Sequence, residues 1–365
     1  MKLAVYVFVL VALIATSCGG SGHEPRTATS DPASATTGAL PITPLTTAPP
    51  QSSAAGLSVI YDDDGSPDGT VALLYLLVQP EVDVISVNLT YGEAYPEVYI
   101  QHLARLMDAH GIVGIPLGYG EIPEATGAIH FPEFVREASS NFWGRPSPNP
   151  DHTYPSGPAA EQIVAAVNAS PRPVTIFVSG PSTNLAPALS LDPGIKGNIG
   201  AVYMMGGAVH VPGNVHDFYS EHPNVYAEWN MVADPVAANE VFEADLPIYL
   251  VPLDATNQVT ISRDDTQQWR TGGGLAEFSA DLYDQLMDGW GAEEAAVWDP
   301  MTAAIMIDPQ LCEFTPLHLA VVIEQGDTLG QTAVVVDKTP NVAVCLNPDA
   351  DSIRRALIEA FSKPG

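Results

Sequence analysis

From residue 57 onward the chain alternates short, largely apolar runs with longer helix-compatible segments, and that alternation confines it to one broad architecture. Residues 57–61, 82–89, 174–178, 201–205 and 248–251 read as strands. Residues 70–78, 98–109, 159–168, 182–189 and 235–244 read as the helices between them. Strands that are apolar on both sides and separated by helices imply a mainly parallel central sheet flanked by helices on both faces, an α/β fold. Residues 317–345 change to alternating, β-rich runs broken at Gly326-Asp327 and Thr339-Pro340, which predicts antiparallel strands appended to that sheet. Residues 351–361 close the chain as a helix, with Asp351 as the expected N-cap. A chain of 365 residues that is 46% hydrophobic has ample material for the core such a domain requires.

What precedes residue 57 is of another kind. Met1-Lys2 leads into an apolar run, residues 3–15, that is short for a span of about 20 residues but normal for a signal-peptide core. It ends in Ile14-Ala15-Thr16-Ser17-Cys18-Gly19, which resembles the bacterial lipobox, so residues 1–18 are expected to direct export and Cys18 to carry a membrane-anchoring lipid. Residues 19–56 are mostly Ser, Thr, Pro, Gly and Ala, too poor in large apolar groups to offset chain entropy, and read as a flexible tether to a domain spanning 57–365. Cys312 and Cys345 are then the remaining cysteines, either paired in an oxidising envelope or left as two buried thiols.

Charge narrows the function. Lys plus Arg number 13 against 43 Asp plus Glu, a formal net charge of -30, so nucleic acid and anionic lipid surfaces are repelled and a small neutral ligand or a cation fits better. The nine His residues show no H-E-x-x-H or paired spacing for zinc. No Gly-x-Ser-x-Gly elbow is present and neither domain cysteine has a neighbouring base, which argues against covalent catalysis.

The first strand runs into Asp62-Asp63-Asp64-Gly65-Ser66-Pro67-Asp68-Gly69, four carboxylates in seven positions. Such crowding repels unless a hard cation sits among the oxygens, which favours calcium or magnesium, although a solvated acidic turn would look the same in sequence. Further along come Ser179-Gly180-Pro181-Ser182-Thr183-Asn184, Met204-Met205-Gly206-Gly207, Gly213-Asn214, Ala227-Glu228-Trp229-Asn230 and Trp298-Asp299-Pro300. Ser182 would serve as a helix cap, and Asp299-Pro300 reads as an N-cap followed by Pro at the first helical position.

Taken in order, these segments resemble the nucleoside hydrolase family, whose first strand ends in D-x-D-P-G-x-D-D and whose later motifs are P-T-G-P-x-T-N, M-G-G, G-N, A-E-x-N and an Asp-Pro pair. The resemblance implies hydrolysis of the N-glycosidic bond of ribonucleosides with calcium as cofactor. It implies that Asp64 binds the metal and acts as general base on a metal-bound water, and that the Ser179 carbonyl and Asp299 complete the ligand set. Asp68, Asn184, Met205, Asn214, Glu228 and Asn230 are implied to hold the substrate. The family's fourth Asp, a principal calcium ligand, is Gly69 here, while Glu93 stands where the family usually has Asn, so Glu93 is expected to rebuild the metal shell from another loop.

Trp298 corresponds to the Trp of the purine-specific branch and is expected to stack on a purine, a buried core Trp being the alternative. Residues 131–143 lie where the family has a mobile base-covering loop, so Trp143 is expected either to stack on the base or to pack that loop down. The expected partners are a small nucleoside and, through the lipid, a membrane; a homo-oligomer is compatible with the sequence, which does not set the oligomeric state. The rival function is a lipid-anchored nucleoside or sugar receptor of the same fold, its turnover lost with the carboxylate at position 69. A third is a structural envelope protein that uses its acidic loops for calcium-dependent adhesion.

Overall fold

A computed structural model describes residues 56–120, 129–220 and 224–363. The expected signal segment, Cys18 and the tether up to residue 55 lie outside the described residues. Thirteen strands are present among the described residues. They are β1 Leu57–Asp63, β2 Val82–Leu89, β3 Leu117–Tyr119, β4 Gly157–Pro158, β5 Val174–Ser179, β6 Ile199–Met205 and β7 Ile248–Val251. Then follow β8 Thr260–Ser262, β9 Glu294–Ala296, β10 Cys312–Leu317, β11 Leu319–Val321, β12 Thr332–Val334 and β13 Val342–Pro348. The α-helices are α1 Pro67–Leu77, α2 Pro96–Ala109, α3 Glu133–Ser140, α4 Ala159–Ala169, α5 Leu185–Leu191 and α6 Trp229–Ala233. They continue with α7 Pro235–Phe242, α8 Leu253–Thr256, α9 Arg263–Trp269, α10 Gly274–Trp290, α11 Trp298–Ile307 and α12 Ala350–Phe361.

Nine strands form one sheet in the order β10-β13-β7-β6-β5-β1-β2-β3-β4, parallel throughout except at the edge strand β10. Because successive side chains point to opposite faces, strand parity sorts the apolar residues into two cores. Val59 and Tyr61 of β1, Phe177 of β5, Tyr203 of β6 and Tyr249 of β7 enter the core covered by α1, α2, α10, α11 and α12. Ile60, Ile176, Val202 and Ile248 enter the other, covered by α4, α5 and α7. α1 is buried from Pro67 to Leu76 because it lies between the sheet and the helices α10 and α11, which is why its sequence is apolar on all sides.

The expected C-terminal strands divide three ways. β10 and β13 pair antiparallel, β11 and β12 form a separate antiparallel ribbon, and β13 joins the main sheet parallel to β7. Alternating hydrophobicity reports a half-buried strand and carries no information on the direction of its partner. Helix starts also shift. α1 and α2 begin at Pro67 and Pro96, earlier than their apolar periodicity suggests, since Pro suits a first turn whose N–H groups have no helical acceptor. α5 starts at Leu185, after a turn through Ser182, with Asn184 in the cap position, so Ser182 does not cap it. Asp349, not Asp351, caps α12, its carboxylate accepting the Ser352 N–H at 3.1 Å.

Cys312 and Cys345 form a disulfide across the β10–β13 pair, with 5.9 Å between their Cα atoms. Cross-linking residues 33 apart removes loop-closure entropy from the unfolded chain worth roughly 3 to 4 kcal/mol. Replacing both cysteines by Ala is therefore expected to lower unfolding stability by about that amount in urea titrations; an unchanged midpoint would show that the edge strands hold without it.

Candidate active site

β1 and β5 are neighbours in the sheet although β2, β3 and β4 extend to one side and β6 and β7 to the other. Loops leaving adjacent strand ends at such a reversal diverge to opposite faces and leave a crevice between them. Asp63 pairs with Ser179 at that point. Into it project the loop joining β1 to α1, the loop after β2, the loop after β5, the turn after β6 and the first turn of α11.

Asp62 and Asp63, the last residues of β1, face opposite sides of the sheet. Asn184 Nδ2 donates to Asp62 Oδ1 at 2.7 Å, while Asp62 Oδ2 is buried with no hydrogen-bond partner. Asp63 Oδ1 accepts the Gly65 N–H at 2.8 Å and Oδ2 accepts the Ser179 hydroxyl at 2.8 Å. Asp64 Oδ2 accepts the Glu93 N–H at 3.1 Å, and its carbonyl accepts the Ala94 N–H at 2.9 Å. Position 92 must be glycine for this approach, because a Cβ there would stand 2.3 Å from Asp64 Oδ2.

Asp299 arrives from far along the chain, where Ser66 Oγ donates to its Oδ2 at 3.3 Å. It is not the N-cap expected from Asp299-Pro300. Val297 takes that place, so Asp299 lies in the first turn of α11 with its carboxylate turned to the β1 loop rather than spent on its own backbone. Asp68 lies in the first turn of α1, after the N-cap Ser66. Two helix N-termini thus face the acidic side chains, and their dipoles oppose part of the repulsion.

That help is partial. Asp62, Asp63, Asp64, Asp68 and Asp299 are buried, and no ion pair of the described residues includes any of them or Glu93. Burial raises every one of these acids, and repulsion from neighbouring carboxylates adds to it for all of them except Asp68. Asp62 and Asp63 are pushed up to about 7 and Glu93 to about 8. Asp64 and Asp299 rise well above the usual carboxylate range, and Asp68 rises with them. Among the described residues no three His, Cys, Asp or Glu side chains stand as a ready-made metal ligand set. The donor chemistry still fits a hard divalent cation: oxygen atoms only, gathered out of water, and among the described residues no cationic side chain ion-paired to them.

Around this group stand the other sequence-selected residues. Glu228 caps α6, its Oε2 accepting the N–H groups of Gly207 at 2.8 Å and Met231 at 3.2 Å, so it ties the turn after β6 to that helix. Asn230 Nδ2 donates to the Met205 carbonyl at 3.1 Å. Asn214 Oδ1 accepts the Trp229 N–H at 3.1 Å, and Gly213 and Val215 bond back to Val225 and Ala227, which closes the long loop and brings Asn214 beside Glu228. Trp298 is half-buried, edge-on to Trp290 at 5.8 Å, and packs with Met205, Ala208, Val211 and Leu253 in a small apolar cluster apart from the two cores.

Glu93 accepts the Ser139 hydroxyl at 2.9 Å, and Ser139 in turn accepts the Trp143 indole N–H at 3.2 Å. Trp143 packs against Tyr99 and Phe142, and Phe131 stacks on Trp229 at 4.2 Å, so both ends of residues 131–143 are packed down. Phe142 and Trp143 hold positive φ of 54° and 49°, backbone strain of about 1–3 kcal/mol each that the burial of Phe142 helps to offset.

Sequence reasoning assigned no separate role to Asp62, Asp63, Ser66 or Asp254. Asp254, whose carboxylate accepts the N–H groups of Val209 and His210, fixes the loop after β6 from α8. The signal for Asp62 and Asp63 was present in strand parity, which places them on opposite faces of the sheet.

The sequence profile described as inosine-uridine preferring nucleoside hydrolase matches residues 59–355. A pyrimidine-specific ribonucleoside hydrolase of Citrobacter koseri is 29% identical over 318 residues, covering 84% of this chain and 98% of its own. A purine-preferring ribonucleoside hydrolase from Gardnerella vaginalis superposes with a TM-score of 0.72 at 26% identity, covering 84% of this chain and 98% of its own. An inosine-uridine preferring nucleoside hydrolase from Bacillus anthracis does so with the same TM-score and identity, covering 84% of this chain and 99% of its own.

The raised carboxyls set a sign for stability against pH. A group lifted from its unfolded value near 4 to about 7 or 8 binds more protons folded than unfolded in between, so stability falls as pH rises through that window. With chelator present, Glu93→Gln is expected to melt above the wild type at pH 8 and level with it near pH 4. An advantage that grows towards low pH would contradict this.

Proposed function

This chain belongs to the nucleoside hydrolase family and is an N-glycosyl hydrolase of ribonucleosides, and from that premise we propose that it works with calcium, prefers purine nucleosides and is held outside the cell membrane by a lipid on Cys18. The observation that carries the calcium reading is the gathering of buried carboxylates from β1, α1 and α11, with half-buried Glu93 from the loop after β2 beside them, and among the described residues no cationic side chain paired to any of them. Asp64, Asp299, the Ser179 carbonyl and Glu93 would hold the ion. Calcium bound there supplies Lewis acidity towards a water and coordination places for a sugar diol.

The chain's own groups do the rest. Asp64, once ionised, takes the proton of the attacking water. Glu228 spends Oε2 on backbone N–H groups and keeps Oε1 for a ribose hydroxyl. Asn184 and Asn230 spend their amide N–H groups on Asp62 and Met205 and keep their oxygens for the same use. Asp68 and Asn214 complete the sugar site. A sugar held by oxygen atoms suits the reaction, because positive charge develops on the ribose ring as the base departs.

For the base, the apolar cluster of Trp298, Met205, Ala208, Val211 and Leu253 lies next in chain and space to Asp299. An indole face has the area and quadrupole to stack on a purine. The relatives divide on this point, pyrimidine-specific in Citrobacter koseri and purine-preferring in Gardnerella vaginalis, and Trp298 carries the purine reading. Placement outside the membrane agrees with the disulfide between Cys312 and Cys345, since such bonds persist in oxidising compartments.

The purified protein is expected to release free base from inosine and guanosine faster than from uridine, and chelator to abolish release until calcium is restored. Release indifferent to chelator would remove the metal from the account, and binding without release would favour the receptor reading. Asp64→Asn is expected to lower kcat by about 10²–10⁴-fold, the span of general base catalysis. Trp298→Ala should lower kcat/KM for inosine more than for uridine; equal losses would show that the indole is packing alone.

A further inference from the structure

Position 69 is where the family resemblance expects a carboxylate ligand and this chain carries none. The Gly69 backbone is held from both sides, its N–H donating to Ser66 Oγ at 2.9 Å and its carbonyl accepting the Tyr61 hydroxyl at 2.9 Å. A Cβ built on that backbone would stand 1.9 Å from Asp63 Oδ2, 2.5 Å from its Cγ and 2.7 Å from its Oδ1. No unbonded atoms approach so closely, so a side chain at 69 and the Asp63 carboxylate exclude one another.

Asp63 is not a loose neighbour that would step aside. It is fully buried, its two oxygens are fixed by the Gly65 N–H and the Ser179 hydroxyl, and it shares strand parity with Val59 and Tyr61, which point into the core under α1. Its carboxylate therefore lies on the α1 side of the sheet, in the space a residue 69 side chain would fill, and in contact with the residue whose carbonyl is the expected ligand. Glu93 has no such overlap with position 69; its carboxylate is directed to Ser139 on α3.

We propose that Asp63 and Gly69 are a reciprocal exchange, in which the metal-binding carboxylate has moved from the first turn of α1 to the end of β1 and Gly69 is required to make room for it. The exchange rests on the calcium reading above. It also answers the objection that Gly69 raises against turnover, since Asp63 places a carboxylate where a side chain at position 69 would stand.

Calorimetric calcium affinity and the calcium-induced rise in Tm, measured on the full chain, test it without any assay of turnover. Asp63→Ala is expected to lose at least about 100-fold in calcium affinity, the upper end of what an outer-shell partner costs. Gly69→Asp alone is expected to melt below the wild type in chelator, two carboxylates being forced into one space. Combining them should restore calcium affinity to within about tenfold of the wild type and recover the chelator Tm, a rescue that a merely structural Asp63 would not show.

Should Asp63→Ala fail to fold, Asp63→Asn, which keeps an acceptor for the Gly65 N–H, is read in its place, with the same loss expected. A wild type that binds calcium alongside an Asp63 variant that binds it equally overturns the exchange alone, as does a double variant no better than Asp63→Ala. A wild type that binds no calcium overturns both the exchange and the reading beneath it.

Discussion

Buried like charge is the constraint from which the rest of this molecule follows. Five aspartates lie within a few side chains of each other at the end of β1 and the first turns of α1 and α11, with Glu93 at their border and, among the described residues, no arginine or lysine paired to any of them. Removing carboxylates from water without a counter-charge is among the most costly arrangements a protein interior can hold. A fold that keeps them there has strong packing elsewhere and a use for the charge.

The packing comes from the sheet. Parity sends alternate residues of β1, β5, β6 and β7 into two separate cores, so the strand ends are held from both faces and the loops beyond them need not be stable by themselves. α1, buried along nearly its whole length, fixes Ser66, Asp68 and Gly69, and its contact with α11 brings Asp299 across more than two hundred residues of chain. The loop after β5 is secured by the side-chain bond from Asn184 to Asp62, and the loop after β6 by backbone N–H groups donating to Asp254, Glu228 and Asn214. The polar groups suited to gripping a sugar are therefore the same groups that shape the crevice, and the site is preorganised at little extra cost.

Much of this was legible in the residues. β2 and β7 have the bounds read from the sequence, and β7, buried at all four positions, leaves the continuous hydrophobic signature of a strand covered on both faces. The motif spacing picked out Asp64, Asp68, Ser179, Asn184, Glu228, Asn230 and Asp299, which the fold gathers at one end of the sheet. What escaped depended on neighbours that a one-dimensional pattern does not contain. Asp63 looked like one more acidic turn residue, and only its closeness to Gly69 distinguishes it. Asp299 read as a cap, but the helix starts two residues earlier than that reading requires and frees its carboxylate. The parallel partner of β13 and the pairing of the two cysteines were likewise matters of sheet order rather than of local pattern.

The central claim is that one divalent ion gathers these carboxylates and grips a furanose. Anomalous diffraction from calcium-soaked crystals tests it most directly. A single strong peak within about 2.3–2.6 Å of both an Asp64 and an Asp299 oxygen is the predicted result. A peak that reaches only one of them, or calcium bound elsewhere on the surface with the acidic crevice unchanged, would contradict it.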